Sequence, residues 1–153
     1  MTDLDALDRK ILRELQRDCD QPLEALGAKI GLSRNACWRR VKRLEETGIL
    51  RARVALADAA ALGLSLQVFI FVRTSAHEPD WLDRFAAAVR DLPEVLGAYR
   101  MTGDLDYLVR ARISGIAEYD ALYQRLIRRV PMTDVSASFV MEELKETTAL
   151  PVG

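Results

Sequence analysis

The sequence predicts an α+β protein: a three-helix, winged helix-turn-helix domain over residues 1–60, then a ferredoxin-like βαββαβ domain over residues 61–153. Three observations carry this reading. Apolar residues recur at helical spacing up to Gly48, and strand-like runs alternate with helical stripes from Leu64 onward. The first half ends its helices with one capped helix whose outer side is cationic. The charge also divides unevenly, with 12 Lys/Arg against 10 Asp/Glu in residues 1–60 and 10 against 13 in residues 61–153.

The elements follow in order. Asp3 is placed to cap a first helix running from Leu4 to about Arg17, with Leu4, Leu7 or Asp8, Ile11, Leu12 and Leu15 on its inner side. Pro22 suits the first position of a short helix to Ile30, burying Leu23, Leu26 and Ile30. Gly31-Leu32-Ser33 then turns tightly into a third helix, which Ser33 caps and Gly48 closes as a left-handed C′ residue. Residues 49–56 alternate loosely and predict a strand or wing carrying Arg51 and Arg53. The alanine-rich stretch 58–63 marks the domain boundary.

In the second half, residues 66–74 are β-branched and aromatic and predict a strand. Residues 79–92 carry a helical stripe through Trp81, Phe85 and Val89, ended by Pro93. Strands are expected over 95–101 and 107–113, and a helix opened by Ser114 or Gly115 runs to Arg129. A last strand covers 134–141, before a charged tail. Val68, Ile70 and Val72 alternate with Phe69 and Phe71, so both faces of the first strand are apolar; helices cover one face of such a sheet, and a second copy of the chain is expected on the other.

The third helix points to chemistry. Cys37, Val41 and Leu44 share one face at i, i+4 and i+7, and from Arg34 to Arg43 there are five cations and no acid. Such a helix suits the major groove of double-stranded DNA. Arg39 and Lys42 are the expected base-edge contacts, Asn35 a possible reader of adenine, and Arg34, Arg40 and Arg43 holders of phosphate beside the cap Ser33. Trp38 sits at the rim of the core stripe, where packing is expected in preference to DNA contact.

Composition excludes several classes. A formal net charge of −1 rules out a uniformly basic nucleic-acid coat. Two cysteines, Cys19 and Cys37, make no disulfide framework or metal spacing, and Cys37 reads as a small core residue. No targeting segment or membrane span is evident, so a cytoplasmic protein is expected. The single histidine, His77, falls on a polar stretch beside Glu78-Pro79 and cannot build a catalytic or metal centre alone; no catalytic residue, metal or cofactor is expected.

The chain resembles the Lrp/AsnC (leucine-responsive, or feast/famine) transcriptional regulators over nearly its whole length. The resemblance rests on Leu4-Asp5 with Asp8 and Ile11-Leu12, on Gly31-Leu32-Ser33, and on Arg40-Val41, Leu44-Glu45 and Gly48-Ile49. In the second half it rests on the run Thr102 to Leu108 and on Val140 to Lys145. It implies a sequence-specific regulator whose C-terminal domain forms homodimers, assembling further to tetramers or octamers. It also implies a small-molecule effector, an amino acid or related metabolite, bound between C-terminal domains. The positions carried over are Thr102, Gly103, Asp104, Asp106, Ile116, Ser138, Phe139 and Val140. The residues agree with this in part: a turn at Gly103 can present N–H groups to a carboxylate, and Asp104 or Asp106 can accept from an ammonium, although a plain hairpin turn explains the same residues. Gln21-Pro22 departs from the family, which often has Ser or Thr as cap there. The rival readings are a weakly specific architectural DNA-binding protein, a stand-alone ligand sensor or, least favoured, an enzyme of ferredoxin-like type.

Overall fold

A computed structural model of the chain describes residues 3–74, 79–132 and 134–153. Two compact units emerge, one of residues up to 56 together with 145–153, the other of residues 57–144. The sequence reading ends its first domain at residue 60 and assigns 61–153 entirely to the second. Residues 145–153 group instead with the first unit, where the Leu150 N–H donates to Gln16 Oε1 at 2.6 Å and Val152 packs beside the helical core.

The first unit holds α1 (Ala6–Arg17), α2 (Leu23–Ile30) and α3 (Arg34–Glu46). Asp5, not Asp3, caps α1. Its carboxylate accepts from the Asp8 N–H at 2.8 Å, and Asp8 returns the bond to the Asp5 N–H at 3.2 Å, closing a capping box. Pro22 lies one position outside α2, its ψ of 145° being extended. Gly31, with φ 76°, ends α2, and the Leu32 N–H bonds back to the Gly27 carbonyl at 2.8 Å. Ser33 caps α3 through the Ala36 N–H at 3.3 Å. Ile11, Leu12 and Leu15 meet Leu26 and Ile30 and then Cys37, Val41 and Leu44 in one core. Fully burying an aliphatic side chain of this size contributes roughly 1.5–3 kcal/mol, so the three stripes explain the helix packing without help from propensity.

The expected wing is absent. Residues 51–58 join no ladder among the described residues, because no neighbouring strand offers partners; Ile49 and Leu50 turn inward onto the helical core instead. The Leu50 N–H bonds to the Leu44 carbonyl at 2.9 Å, completing the end of α3.

The second unit is β1 (Leu66–Arg73), α4 (Pro79–Arg90), β2 (Val95–Arg100), β3 (Tyr107–Ile113), α5 (Ile116–Arg129) and β4 (Asp134–Phe139). The strand order is β2-β3-β1-β4 and every pairing is antiparallel, as a βαββαβ chain requires. Val68, Ile70 and Val72 of β1 and Val109, Ala111 and Ile113 of β3 are buried with Trp81, Phe85, Leu122 and Leu126 of the helices. Trp81, Phe85 and Tyr107 form an aromatic cluster with ring centroids 4.8–5.3 Å apart, and the Trp81 indole donates to the Pro131 carbonyl at 2.6 Å. α5 has no capping side chain at Gly115; Glu118 reaches back to the Ser114 N–H at 2.6 Å instead. By register, Phe69 and Phe71 share the opposite face with Arg110 and Leu108 of β3 and Ser138 and Ser136 of β4, and both phenylalanines are half-buried.

Gly27 was not singled out from sequence, yet it sets the spacing of the helix-turn-helix. A Cβ there would lie 2.6 Å from the Leu32 carbonyl oxygen, a backbone atom that cannot swing aside. Gly27→Ala is expected to cost about 1–3 kcal/mol through overpacking. The measurement is the thermal midpoint of the purified variant, and an unchanged midpoint contradicts the close approach.

Candidate nucleic-acid interface and effector loop

α3 is held on its inner side by Cys37, Val41 and Leu44, all buried, so its rotation about its own axis is fixed. The five cations then part into two groups. Arg34 pairs with Glu24 at 2.5 Å on the surface. Arg40 donates to Asp5 at 2.7 Å and to Asp8 at 2.9 Å, and Arg43 also bonds Asp8. Arg39 and Lys42 are exposed and have no carboxylate partner among the described residues; exposed Asn35 lies beside them. Sequence reasoning assigned Arg40 and Arg43 to phosphate. The structure turns both toward α1, where a fully buried carboxylate attracts them.

Asp8 is the residue that sequence reasoning missed as a functional one. Its side chain has no exposed surface, and it binds one guanidinium from each of two successive turns of α3. A carboxylate withdrawn from water needs such partners, and it gains two plus the Asp5 N–H. The signal was present in the sequence: an acid three residues after a cap, standing on an otherwise apolar stripe. Asp5 is the exposed end of this network. The Asp8 backbone N–H, and after it the Arg40 guanidinium, lower its carboxyl from the ordinary 3.8 to about 2. The Arg40 guanidinium is correspondingly pushed above its ordinary range by Asp5 and Asp8.

Two further residues differ in status. Trp38, expected to pack, is 51% exposed. Cys37 is buried within the helical core as expected, and desolvation raises its thiol above the ordinary value.

The second candidate region begins at the β2–β3 connection. Gly103 takes a φ of 99°, which a side-chain-bearing residue rarely adopts, and Thr102, Gly103 and Asp104 are exposed. The Asp104 carbonyl accepts from Arg73 Nε at 2.9 Å. Asp106 is engaged on three sides. Its carboxylate accepts from the Thr74 N–H at 2.8 Å, its N–H donates to the Val72 carbonyl at 3.1 Å, and its carbonyl accepts from the Met101 N–H at 2.8 Å. Asp106 therefore ties the loop to the end of β1.

The other residues of the expected effector set lie elsewhere. Ile116 is exposed at the first turn of α5, while the Val140 N–H bonds the Gln67 carbonyl at 2.9 Å, at the opposite end of β1 from Val72. Gln67 and Val72 are five residue steps apart along the strand, about 17 Å. Ser138 and Phe139 point to opposite faces: Ser138 is exposed, whereas Phe139 meets the Tyr119 ring edge-on at 5.2 Å. One chain thus brings Thr102 to Asp106 together and sets Phe139 against α5, the helix that Ile116 opens, but does not unite the two groups. His77 lies outside the described residues.

Comparison with known proteins decides the family. The profile of the Lrp/AsnC ligand binding domain matches residues 67–150, and that of the AsnC-type helix-turn-helix domain matches residues 4–45. The chain belongs to the Lrp/AsnC family of transcriptional regulators. It is 48% identical to the glutamate uptake regulatory protein of Zymomonas mobilis over 149 residues, 97% of this chain and 91% of that one. It is 45% identical to the DNA-binding transcriptional activator DecR of Escherichia coli over 150 residues, 97% of this chain and 99% of that one. A solved transcriptional regulator from Neisseria meningitidis, in complex with L-Met, superposes with a TM-score of 0.93 at 37% identity, covering 97% of both chains. The Lrp/AsnC relatives are DNA-binding regulators and not enzymes, which disposes of the enzyme reading. Among the described residues no helix of this Lrp/AsnC chain is long and apolar enough to cross a membrane.

Two tests address the network of α1 and α3. The folded Asp5 carboxyl titrates below its unfolded value, so its stabilising contribution is complete above pH 3.8 and disappears as pH falls through about 2. Acid unfolding of Asp5→Asn, followed by helical circular dichroism, should lack that part of the pH dependence; an acid profile identical to the parent's contradicts the pairing. Separately, a thiol reagent at neutral pH should modify Cys19 in the native chain and reach Cys37 only on unfolding. Equal reaction rates for the two thiols contradict the core placement.

Proposed function

We propose that the protein is a sequence-specific DNA-binding regulator that acts as a homodimer or higher even assembly in the cytoplasm and responds to an amino acid or related metabolite. The observation that carries the DNA half is the unneutralised outer side of α3, where Arg39 and Lys42 stand with Asn35 on a helix whose orientation the core fixes. Those residue types match base edges: Arg and Lys pair with guanine O6 and N7, and Asn with adenine N6 and N7. Arg34, Arg40 and Arg43 are assigned a lesser share, since each already has a carboxylate. Reaching phosphate would mean sharing the guanidinium with that partner. In a two-fold assembly the paired helices would lie about 34–36 Å apart, one turn of duplex.

The sheet supports self-association. Phe69, Phe71 and Leu108 form an apolar strip on the face opposite the helices, suited to the same strip of a second copy. Such pairing also supplies what the effector site lacks. The loop Thr102 to Asp106 and the group Ile116 with Ser138 to Val140 lie at opposite ends of β1, so a site using both takes one group from each of two chains. Within it, N–H groups around Gly103 would receive the ligand carboxylate and Asp104 its ammonium. The L-Met bound by the Neisseria relative supports an amino acid as the class.

Competition binding at fixed salt tests the DNA half. A selected duplex should bind at least about a thousandfold tighter than random duplex. Arg39→Ala should cost about 1–3 kcal/mol and relax base preference. A ratio near one favours the architectural reading.

Thermal shift with each of the twenty amino acids tests the effector half. A ligand that raises the parent's midpoint should lose that effect in Asp104→Ala, with the unliganded midpoint kept. Asp106→Ala should lower the unliganded midpoint itself, because the Thr74 N–H loses its acceptor. If Asp104→Ala retains the full ligand response, Asp104 is not part of the site.

A further inference from the structure

Asn35, Trp38, Arg39 and Lys42 stand at i, i+3, i+4 and i+7, so on α3 they form one continuous stripe. All four are exposed, and no ion pair engages the two cations among the described residues. Within the stripe Trp38 is anomalous. A large aromatic surface is left 51% open to water on a helix whose core stripe, Cys37, Val41 and Leu44, is buried. The chain's other tryptophan, Trp81, is 1% exposed and makes both ring stacking and an indole hydrogen bond.

We infer that Trp38 is a specificity-determining residue that reads the 5-methyl group of thymine in the major groove. This rests on the DNA-binding reading of α3. The cations of the stripe draw the helix against a polyanion and leave Trp38 beside them facing the same groove. Only one base presents an apolar group there, and it is thymine; its methyl is the surface that an exposed indole can bury without stranding a hydrogen bond. The neighbouring Asn35 reads adenine, the partner of thymine, so the stripe as a whole favours A·T pairs flanked by a guanine for Arg39. Flanking cations and a groove-facing indole make duplex the favoured occupant over an apolar protein patch, which Arg39 and Lys42 would oppose by desolvation.

The test uses the full-length protein and a duplex that it has itself enriched from a randomised pool. Each thymine is replaced in turn by uracil, which removes the methyl and leaves the pairing edge unchanged. Loss of one buried methyl predicts roughly a fourfold weaker binding at one or more positions. Trp38→Ala should bind thymine and uracil duplexes alike there, with the parent's dependence on salt and its helical circular dichroism retained at the assay temperature. Tryptophan emission gives a second reading: binding should quench or shift the exposed Trp38 signal, and Trp38→Phe, which keeps only buried Trp81, should show no change. If the parent is indifferent to uracil at every position, or Trp38→Ala keeps the parent's discrimination, the inference fails while DNA binding by α3 stands. If no duplex is enriched at all, the reading of α3 falls and the inference with it.

Discussion

The buried Asp8 carboxylate is the constraint from which the rest of the DNA-binding unit follows. It stands in the first turn of α1, closes the capping box with Asp5, and receives a guanidinium from each of two turns of α3. Hydrophobic contact alone would let α3 slide or rotate among several packings of similar burial. A carboxylate fully withdrawn from water has few acceptable arrangements, and this one locks α1 against α3 in a single register. That ion cluster is not an argument for high stability, since an apolar replacement of the same shape would cost little. Its consequence is geometric, and it decides which cations remain for a ligand.

Charge counting therefore overstates how many cations of α3 stand without a carboxylate partner among the described residues. Five cations on ten residues read as one basic face, but three of them answer carboxylates on α1, on α2 or before α1. The remaining surface is smaller and more varied, with an amide, an indole, a guanidinium and an ammonium in one stripe. Such a surface discriminates among bases better than a uniform row of arginines, because each group prefers a different edge. A low overall charge of −1 fits a protein that places its positive potential narrowly.

Much of the fold was legible because local periodicity and burial agree. Val68, Ile70 and Val72 alternate into the core as their spacing implies, and Cys37, Val41 and Leu44 do the same at helical spacing. What short windows leave out shares one cause, which is that pairing over distance leaves no mark on them. Arg40 and Arg43 find Asp8 more than thirty residues away. Residues 49–56 alternate loosely like a strand but have no neighbour to pair with among the described residues. Phe139 carries the family's position but faces the helix layer through Tyr119, because adjacent strand residues must point to opposite faces. Trp38 lay at the rim of the stripe, and angle on a helical wheel cannot say whether a neighbouring element reaches it. The loop from Thr102 to Asp106 was located by resemblance, but only the hydrogen bonds show that Asp106 secures the backbone while Asp104 leaves its carboxylate outward.

The central claim is that α3 presents Asn35, Trp38, Arg39 and Lys42 to duplex DNA while Asp8 engages Arg40 and Arg43. Titration of isotopically labelled protein with its selected duplex, followed by nuclear magnetic resonance, tests this most directly. The account predicts shifts in the Asn35 side-chain amide, the Trp38 indole N–H and the Arg39 side chain, with the Arg40 guanidinium and the Trp81 indole unmoved. Shifts concentrated in Arg40 and Arg43, with Trp38 and Arg39 silent, would contradict it.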